Sequence, residues 1–195
     1  MAVKTGIRTP PRKESTPGVL PEDPELVELL DRTFAEGGQS LLNLLDEKPM
    51  LLVFLRHFGC AFCRETIHDV GKAMPELNRR GVRPVFVHMG SPERARPFFE
   101  RFGLRDAERV SDPEMKLYQA PVFHLLKSTV LPHFFGATAY WELARRALWR
   151  YGAGSPGKED PTQLPGVFFL KNRAIHRAFR HKNLGDRIDY SLFGV

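Results

Sequence analysis

The feature that most constrains the fold is a short apolar segment that leads directly into a pair of cysteines. Met50–Leu55 shows no alternation of apolar and polar residues, which is typical of a strand buried on both faces of a parallel sheet. Apolar residues then recur every three or four positions from Ala61 to Arg80, so a helix is predicted that ends before Gly81. The strand is therefore expected to deliver the CAFC motif, with Cys60 at its start, to the first turn of this helix.

The surrounding segments predict the rest of a mixed sheet. A second buried strand is predicted at Val82–Met89, and a strand, a helix and a further parallel strand form one right-handed βαβ unit. Ser91-Pro-Glu is typical of a helix start, and Asp112-Pro-Glu repeats that signature. Near the C-terminal end, GVFFL and AIHRAFRH flank a turn at 171–173, which is typical of a β-hairpin. Two further helices are expected before the first strand: one from Pro24 that ends at Gly37 and Gly38, and one over Ser40–Asp46 that is opened by the capping residue Ser40.

The two cysteines of the chain lie in one motif that suits thiol chemistry. Free N–H groups and the helix dipole favour a thiolate at Cys60. Arg56, His57 and Arg64 are expected to add positive charge beside it. Cys63 lies one turn later on the same helix face, where it can reach the Cys60 sulfur. A reversible disulfide between the two cysteines is therefore predicted.

Two structural alternatives compete with redox chemistry. His57, Cys60, Cys63 and His68 would supply the four ligands that zinc takes. Cys63 and His68, however, are separated by about 140° around the predicted helix, so they cannot easily aim at one ion. The second alternative is a pair of inert core cysteines.

Composition narrows the function further. The net charge of +6 raises the question of nucleic-acid binding, but the basic residues form no recognisable nucleic-acid module, so no such binding is expected. Met50–Leu55 is far shorter than the roughly 18 apolar residues of a membrane-spanning helix. The first 20 residues lack the apolar stretch of a secretory signal. A cytoplasmic protein is predicted.

The segments PMLLVFLRHFGCAFCRE, VSDPEMKLYQA and QLPGVFFLKNRAIHRAFRH resemble the peroxiredoxin-like branch of the AhpC/TSA family. The resemblance covers most of residues 40–190 and implies an α/β thioredoxin-like fold, with a central mixed β-sheet and flanking helices. Leu164 and Pro165 resemble the pair at which thioredoxin folds hold a cis-proline against the active-site cysteines.

The resemblance also implies the function. It suggests a thiol-disulfide oxidoreductase or thiol peroxidase that acts on a peroxide or disulfide, needs no metal or organic cofactor, and is reduced by an external thiol of the thioredoxin or glutathione type. Cys60 lies at the predicted helix start, and this position favours it as the attacking residue, with Cys63 resolving the intermediate. The peroxiredoxin register instead places the attacking residue at Cys63. Two alternatives are a reductase of lipid endoperoxides and a non-catalytic thioredoxin-fold interaction module with structural cysteines.

The predicted domain organisation rests on composition and on the family resemblance. Residues 1–23 are predicted to be a disordered arm, and residues 24–195 a single thioredoxin-like domain with an insertion at about 121–162 before the cis-Pro strand. The insertion is long for a loop without structure, so a helix is predicted from Tyr140 onwards. Trp149 falls on its charged face. It is predicted to contact a partner subunit, a substrate or an anionic membrane surface, or else to pack under another part of the insertion. PHFFGATAY, just upstream, is predicted to form an aromatic lid near the cysteines.

Overall fold

The computed structural model describes residues 21–128, 138–183 and 186–190. Most of the predicted N-terminal arm, 1–23, lies outside the described residues. The strands are β1 Met50–Phe54, β2 Arg83–His88, β3 Glu108–Ser111, β4 Gly166–Lys171 and β5 Ala174–Arg180. The helices are α1 Pro24–Asp31, α2 Leu41–Glu47, α3 Ala61–Arg79, α4 Pro92–Arg101 and α5 Thr138–Tyr151.

The strands form one mixed sheet in the order β3-β2-β1-β4-β5. β1 pairs in parallel with β2, and β2 with β3, whereas β4 runs antiparallel to β1 and β5 antiparallel to β4. The turn between β4 and β5 consists of Asn172 and Arg173, whose φ angles are 51° and 56°. A two-residue hairpin turn of type I′ requires positive φ at both positions. The predicted βαβ unit, the hairpin and the central mixed sheet with flanking helices are confirmed.

β1 is buried along its whole length because each face of the sheet carries its own hydrophobic core. Side chains alternate between the faces of a strand. Met50, Leu52 and Phe54 therefore pack in one core with leucines of α1 and α2. Leu51 and Val53 pack in the other with apolar residues of α3 and α4. This two-sided burial explains the uninterrupted apolar run in the sequence.

Three details differ from the sequence-based predictions. β3 was not predicted, because Val110 is its one fully buried residue and the strand carries no apolar run. Asp112 does not open a helix. Its carboxylate instead accepts hydrogen bonds from the amides of Lys116 and Leu117 in a series of turns. α1 ends at Asp31, before the glycines at which its end was expected.

The peptide bond between Leu164 and Pro165 is trans, since no peptide bond in the described ranges is cis. The predicted cis-proline is therefore wrong. The chain on both sides of this bond is already paired: the Leu164 amide donates to the Leu126 carbonyl at 3.0 Å, and the Pro165 carbonyl accepts from the His181 amide at 3.2 Å. The trans form is also the intrinsically preferred isomer of an X–Pro bond, by about 0.5–1 kcal/mol.

α5 confirms the helix predicted between β3 and β4, and it packs against α3. Ala147 and Tyr151 are buried against Ala61 at the start of α3. Trp149 points away from this contact and is 88% exposed, so the prediction that it packs beneath the insertion is wrong. The aromatic lid predicted at 132–140 lies outside the residues whose side chains the structure describes. In the described part of the chain, no helix has both the length and the apolar character needed to cross a bilayer.

Candidate active site

The two cysteines lie where β1 passes into α3. Cys60 occupies the N-cap position of α3, with φ −78° and ψ 122°, and its amide donates to the His57 carbonyl at 3.0 Å. Cys63 lies in the first turn. Both side chains are buried and both are free thiols. The strand therefore delivers Cys60 to the helix start, as the sequence predicts.

The two thiols have opposite electrostatic environments. A hydrogen bond from the Cys63 thiol, together with the amides of Cys63 and Phe62 and the charge of Arg56, lowers the pKa of Cys60 to about 6, although burial opposes this shift. The same hydrogen bond, burial and the negative charge of Cys60 raise the pKa of Cys63 well above its ordinary value. These surroundings therefore favour the thiolate at Cys60 and the protonated thiol at Cys63.

Arg56 lies beside the Cys60 sulfur. Its Nη1 is 4.0 Å from Cys60 Sγ. Its Nε donates to the Pro161 carbonyl at 2.6 Å, and its Nη2 donates to the same carbonyl. Its own amide donates to Cys63 Sγ at 3.2 Å. Because the backbone of a distant loop holds the guanidinium, Arg56 is fixed where its charge favours the thiolate.

Arg64 lies close enough to Cys60 and Cys63 for their charges to act on its pKa, and its guanidinium is also held by two backbone carbonyls. Its Nε donates to the Phe58 carbonyl at 3.0 Å and its Nη1 to the Tyr151 carbonyl at 2.9 Å. These two bonds tie the loop before Cys60 to the end of α5. The hydrogen bonds of Arg64 thus connect backbone segments.

His57 does not add positive charge to the site, so that prediction is wrong. Its side chain is buried, and within the described part of the chain its Nδ1 has no hydrogen-bond partner. Burial, together with the charges of Arg56, Arg94 and Arg64, lowers the pKa of His57 to about 4. The imidazole is therefore neutral near pH 7.

The residues of the zinc alternative do not converge. His68 is directed towards α5, where its Nδ1 lies 3.2 Å from the Tyr151 hydroxyl, and it also lies 3.4 Å from Asp69. Over the described ranges, no three His, Cys, Asp or Glu side chains cluster in a way that could hold a metal ion. The geometry gives the zinc interpretation no support.

A cavity of about 100 Å³ adjoins both cysteines. Pro165 lines it, so the proline lies beside the thiols as predicted, although its peptide bond is trans. Phe62, Ile188 and Tyr190 supply apolar surface, while Glu65 and Asp69 supply carboxylates. The site is thus a small cavity of mixed polarity that both thiols line.

Two residues near the site carried no recognised signal in the sequence. The Tyr118 hydroxyl is buried and lies 2.9 Å from the Val87 carbonyl, and it also bonds to the carbonyl of Leu55. The Glu159 carboxylate accepts a hydrogen bond from the Phe58 amide at 2.9 Å, across 101 positions of sequence. Neither residue belongs to a periodic pattern or a motif, so only the fold reveals its role.

Comparison with known proteins adds the family. The model of the AhpC/TSA antioxidant enzyme family matches residues 70–183, which is more than half of the chain and begins after both cysteines. Peroxiredoxin-like 2C of Bos taurus is 26% identical over 192 residues, covering 90% of this chain and 82% of the relative. A prostamide/prostaglandin F synthase of Salmo salar is 32% identical over 85 residues. That match covers 43% of this chain, and the chain spans only 42% of the length of that relative.

The solved structures support the fold. A cysteine-to-serine mutant of peroxiredoxin Q from Xanthomonas campestris superimposes with a TM-score of 0.58 at 16% identity, covering 87% of this chain and 90% of the other. A mutant of peroxiredoxin 6 from Arenicola marina also gives a TM-score of 0.58, at 11% identity over 83% of this chain and 65% of the other. The predicted thioredoxin-like fold, thiol-dependent redox function and oxidoreductase class are confirmed. The chain belongs to the AhpC/TSA antioxidant enzyme family, as a peroxiredoxin-like member.

Proposed function

We propose that Cys60 is the attacking thiolate of a thiol peroxidase and that Cys63 resolves the intermediate. The observation that carries this assignment is the place of Cys60 at the N-cap of α3, with Arg56 Nη1 4.0 Å from its sulfur. In these surroundings the pKa of Cys60 is lowered to about 6, whereas that of Cys63 is raised. The thiolate is the nucleophilic form of cysteine. Cys60 therefore holds the reactive form near neutral pH, and Cys63 keeps its proton.

The proposed reaction balances without a metal or organic cofactor. The Cys60 thiolate attacks one oxygen of a hydroperoxide, ROOH, so that the O–O bond breaks, Cys60 becomes a sulfenic acid and ROH leaves after taking a proton. The Cys63 sulfur then attacks the Cys60 sulfur and displaces hydroxide, which leaves as water with the Cys63 proton. An external dithiol of the thioredoxin type, or glutathione, reduces the resulting disulfide by thiol–disulfide exchange.

Cys63→Ser and Cys60→Ser variants test this order. The Cys63→Ser variant should consume one equivalent of peroxide and retain a sulfenic acid at Cys60, because its resolving thiol is missing. The Cys60→Ser variant should consume none. Sulfenic acid trapping in the Cys60→Ser variant instead would assign the attack to Cys63, and peroxide consumption by neither variant would favour the non-catalytic module.

A second candidate substrate is a lipid endoperoxide. The partial match to the salmon prostamide/prostaglandin F synthase supports it, as do the apolar side chains of Phe62 and Ile188 beside the thiols. The test compares turnover of a lipid endoperoxide with that of hydrogen peroxide and an alkyl hydroperoxide under one reductant. Turnover of the endoperoxide alone would favour this candidate.

The cellular context is likewise a proposal. A cytoplasmic location would give the thiol pair access to cytoplasmic thiol reductants, and fractionation of cells tests it. We also propose that the exposed Trp149 marks a contact with a second copy of the chain. The solution mass of wild-type and Trp149→Ala protein tests that contact.

A further inference from the structure

We propose that Glu159 is a positioning residue for the active-site loop, residues 55–60: through the amide of Phe58, its carboxylate fixes the turn that places Cys60 beside Arg56. This inference rests on the proposed function only in taking Cys60 as the reactive thiolate. The Glu159 carboxylate contacts the Phe58 amide and Arg94 rather than either sulfur, so it acts on Cys60 through the backbone of the loop.

The carboxylate of Glu159 is buried and is held by one hydrogen bond and one ion pair. Its side chain is 3% exposed. Its Oε2 accepts from the Phe58 amide at 2.9 Å, and its Oε1 lies 2.9 Å from Nη1 of Arg94. Burial raises the pKa of Glu159, whereas the Phe58 amide and the charge of Arg94 oppose this shift. Both contacts therefore favour the carboxylate, and one of them is made with the active-site loop.

Glu159 belongs to a segment that lies along the active-site loop. This segment, residues 151–161, is called the strap here. Its backbone makes three contacts with the loop and the start of α3: the Gly154 amide donates to the Gly59 carbonyl at 3.0 Å, the Pro161 carbonyl accepts from Arg56, and the Tyr151 carbonyl accepts from Arg64 of α3. These three contacts use main-chain atoms of the strap, whereas Glu159 uses its side chain. Its contact is therefore one that a substitution can remove.

The glycines show how closely the strap and the loop approach each other. A Cβ atom at Gly59 would lie 2.2 Å from the Gly154 carbonyl oxygen. A Cβ atom at Gly90 would lie 2.5 Å from the Phe58 ring and 2.8 Å from Glu159 Oε1. Neither position has room for a larger residue, so the strap and the loop form one closely packed unit.

Phe58 transmits the position of Glu159 to Cys60. Its ring packs against Phe98, with centroids 4.5 Å apart, and against His88 at 5.2 Å. Its amide lies inside the turn closed by the bond from the Cys60 amide to the His57 carbonyl. When the Phe58 amide loses its acceptor, this turn loses a fixed point, and Cys60 loses its alignment with Arg56 and the first amides of α3.

Positioning and simple electrostatics predict opposite results. If the charge of Glu159 acted directly on Cys60, its removal would favour the thiolate, because a nearby negative charge disfavours a second one. If Glu159 positions the loop, its removal should disfavour the thiolate. The direction of the change therefore separates the two explanations.

The experiment measures the alkylation rate of Cys60 against pH in the full-length reduced protein, by mass spectrometry of the cysteine-containing peptide. The wild-type midpoint should lie near pH 6. We expect Glu159→Ala to raise the midpoint by about one pH unit. Glu159→Gln retains an acceptor for the Phe58 amide and should leave the midpoint unchanged or slightly lower.

Two further variants complete the test. Glu159→Asp keeps the charge but withdraws the carboxylate from Phe58, so it should raise the midpoint and would report on positioning even if Glu159→Ala failed to fold. Glu100→Ala is the matched control. It removes a carboxylate of α4 that pairs with Arg105, and it should leave the midpoint unchanged.

The outcomes distinguish this inference from the proposed function. A wild-type midpoint near that of an ordinary cysteine would contradict the proposed function, because Cys60 would not be a stabilised thiolate. A wild-type midpoint near pH 6 that Glu159→Ala and Glu159→Asp leave unchanged or lower would overturn the positioning role alone.

Discussion

Replacing Cys63 with alanine removes the hydrogen bond that contributes most to the low pKa of Cys60. A hydrogen bond to a charged group contributes about 1.5–3 kcal/mol, and one pKa unit corresponds to about 1.36 kcal/mol. The pKa of Cys60, about 6 in the wild type, should therefore rise by about one to two units in Cys63→Ala. The helix amides and Arg56 remain, so the value should stay below that of a free cysteine.

The assay follows the ultraviolet absorbance of the thiolate during a pH titration of the reduced protein. Cys63→Ala contains a single cysteine, so its titration belongs to Cys60 alone. Cys63→Ser is the matched control, because its hydroxyl can still donate a hydrogen bond to the thiolate and should keep the midpoint near the wild-type value. An alanine variant that titrates at the wild-type midpoint would refute the reasoning, as would alanine and serine variants with equal shifts.

Three other predictions concern two basic residues and the exposed tryptophan. Arg56→Gln should raise the alkylation midpoint of Cys60, because it removes a charge 4.0 Å away that contributes about 1 kcal/mol even at the dielectric constant of water. Arg64→Gln should instead lower the free energy of unfolding in denaturant by about 1–3 kcal/mol, because it leaves two backbone carbonyls without donors. Equal shifts of the Cys60 alkylation midpoint in Arg56→Gln and Arg64→Gln would contradict this difference between the two arginines. Trp149→Ala should change the unfolding free energy by less than about 0.5 kcal/mol because the side chain is exposed. It should also reduce the solution mass if Trp149 marks a contact between copies, and an unchanged mass would reject that contact.

The sequence predicts the centre of this fold because local and tertiary preferences agree there. The apolar run of β1 reflects burial by neighbours on both faces, and the spacing of Ile67 and Val70 follows the buried face of α3. Cys60 at the helix start follows directly from these two elements. β3 shows no such agreement, since only Val110 in it is fully buried, and its pairing depends on the edge offered by β2.

The parts of the site that the sequence does not reveal depend on tertiary contacts. The charge state of His57 depends on burial and three arginines, one of which, Arg94, is distant in sequence. The trans peptide bond before Pro165 is flanked by hydrogen bonds of Leu164 with Leu126 and of Pro165 with His181. Glu159 reaches Phe58 from a loop far along the chain. No local pattern encodes these relationships, because each depends on how separate elements pack together.

The most direct test of the central claim is the redox state of the two cysteines after oxidation. Treatment of the reduced protein with one equivalent of peroxide should form one intramolecular disulfide between Cys60 and Cys63, which lowers the intact mass by about two hydrogens and blocks alkylation of both residues. A dithiol reductant should restore both thiols. Two freely alkylatable thiols after oxidation would contradict the account.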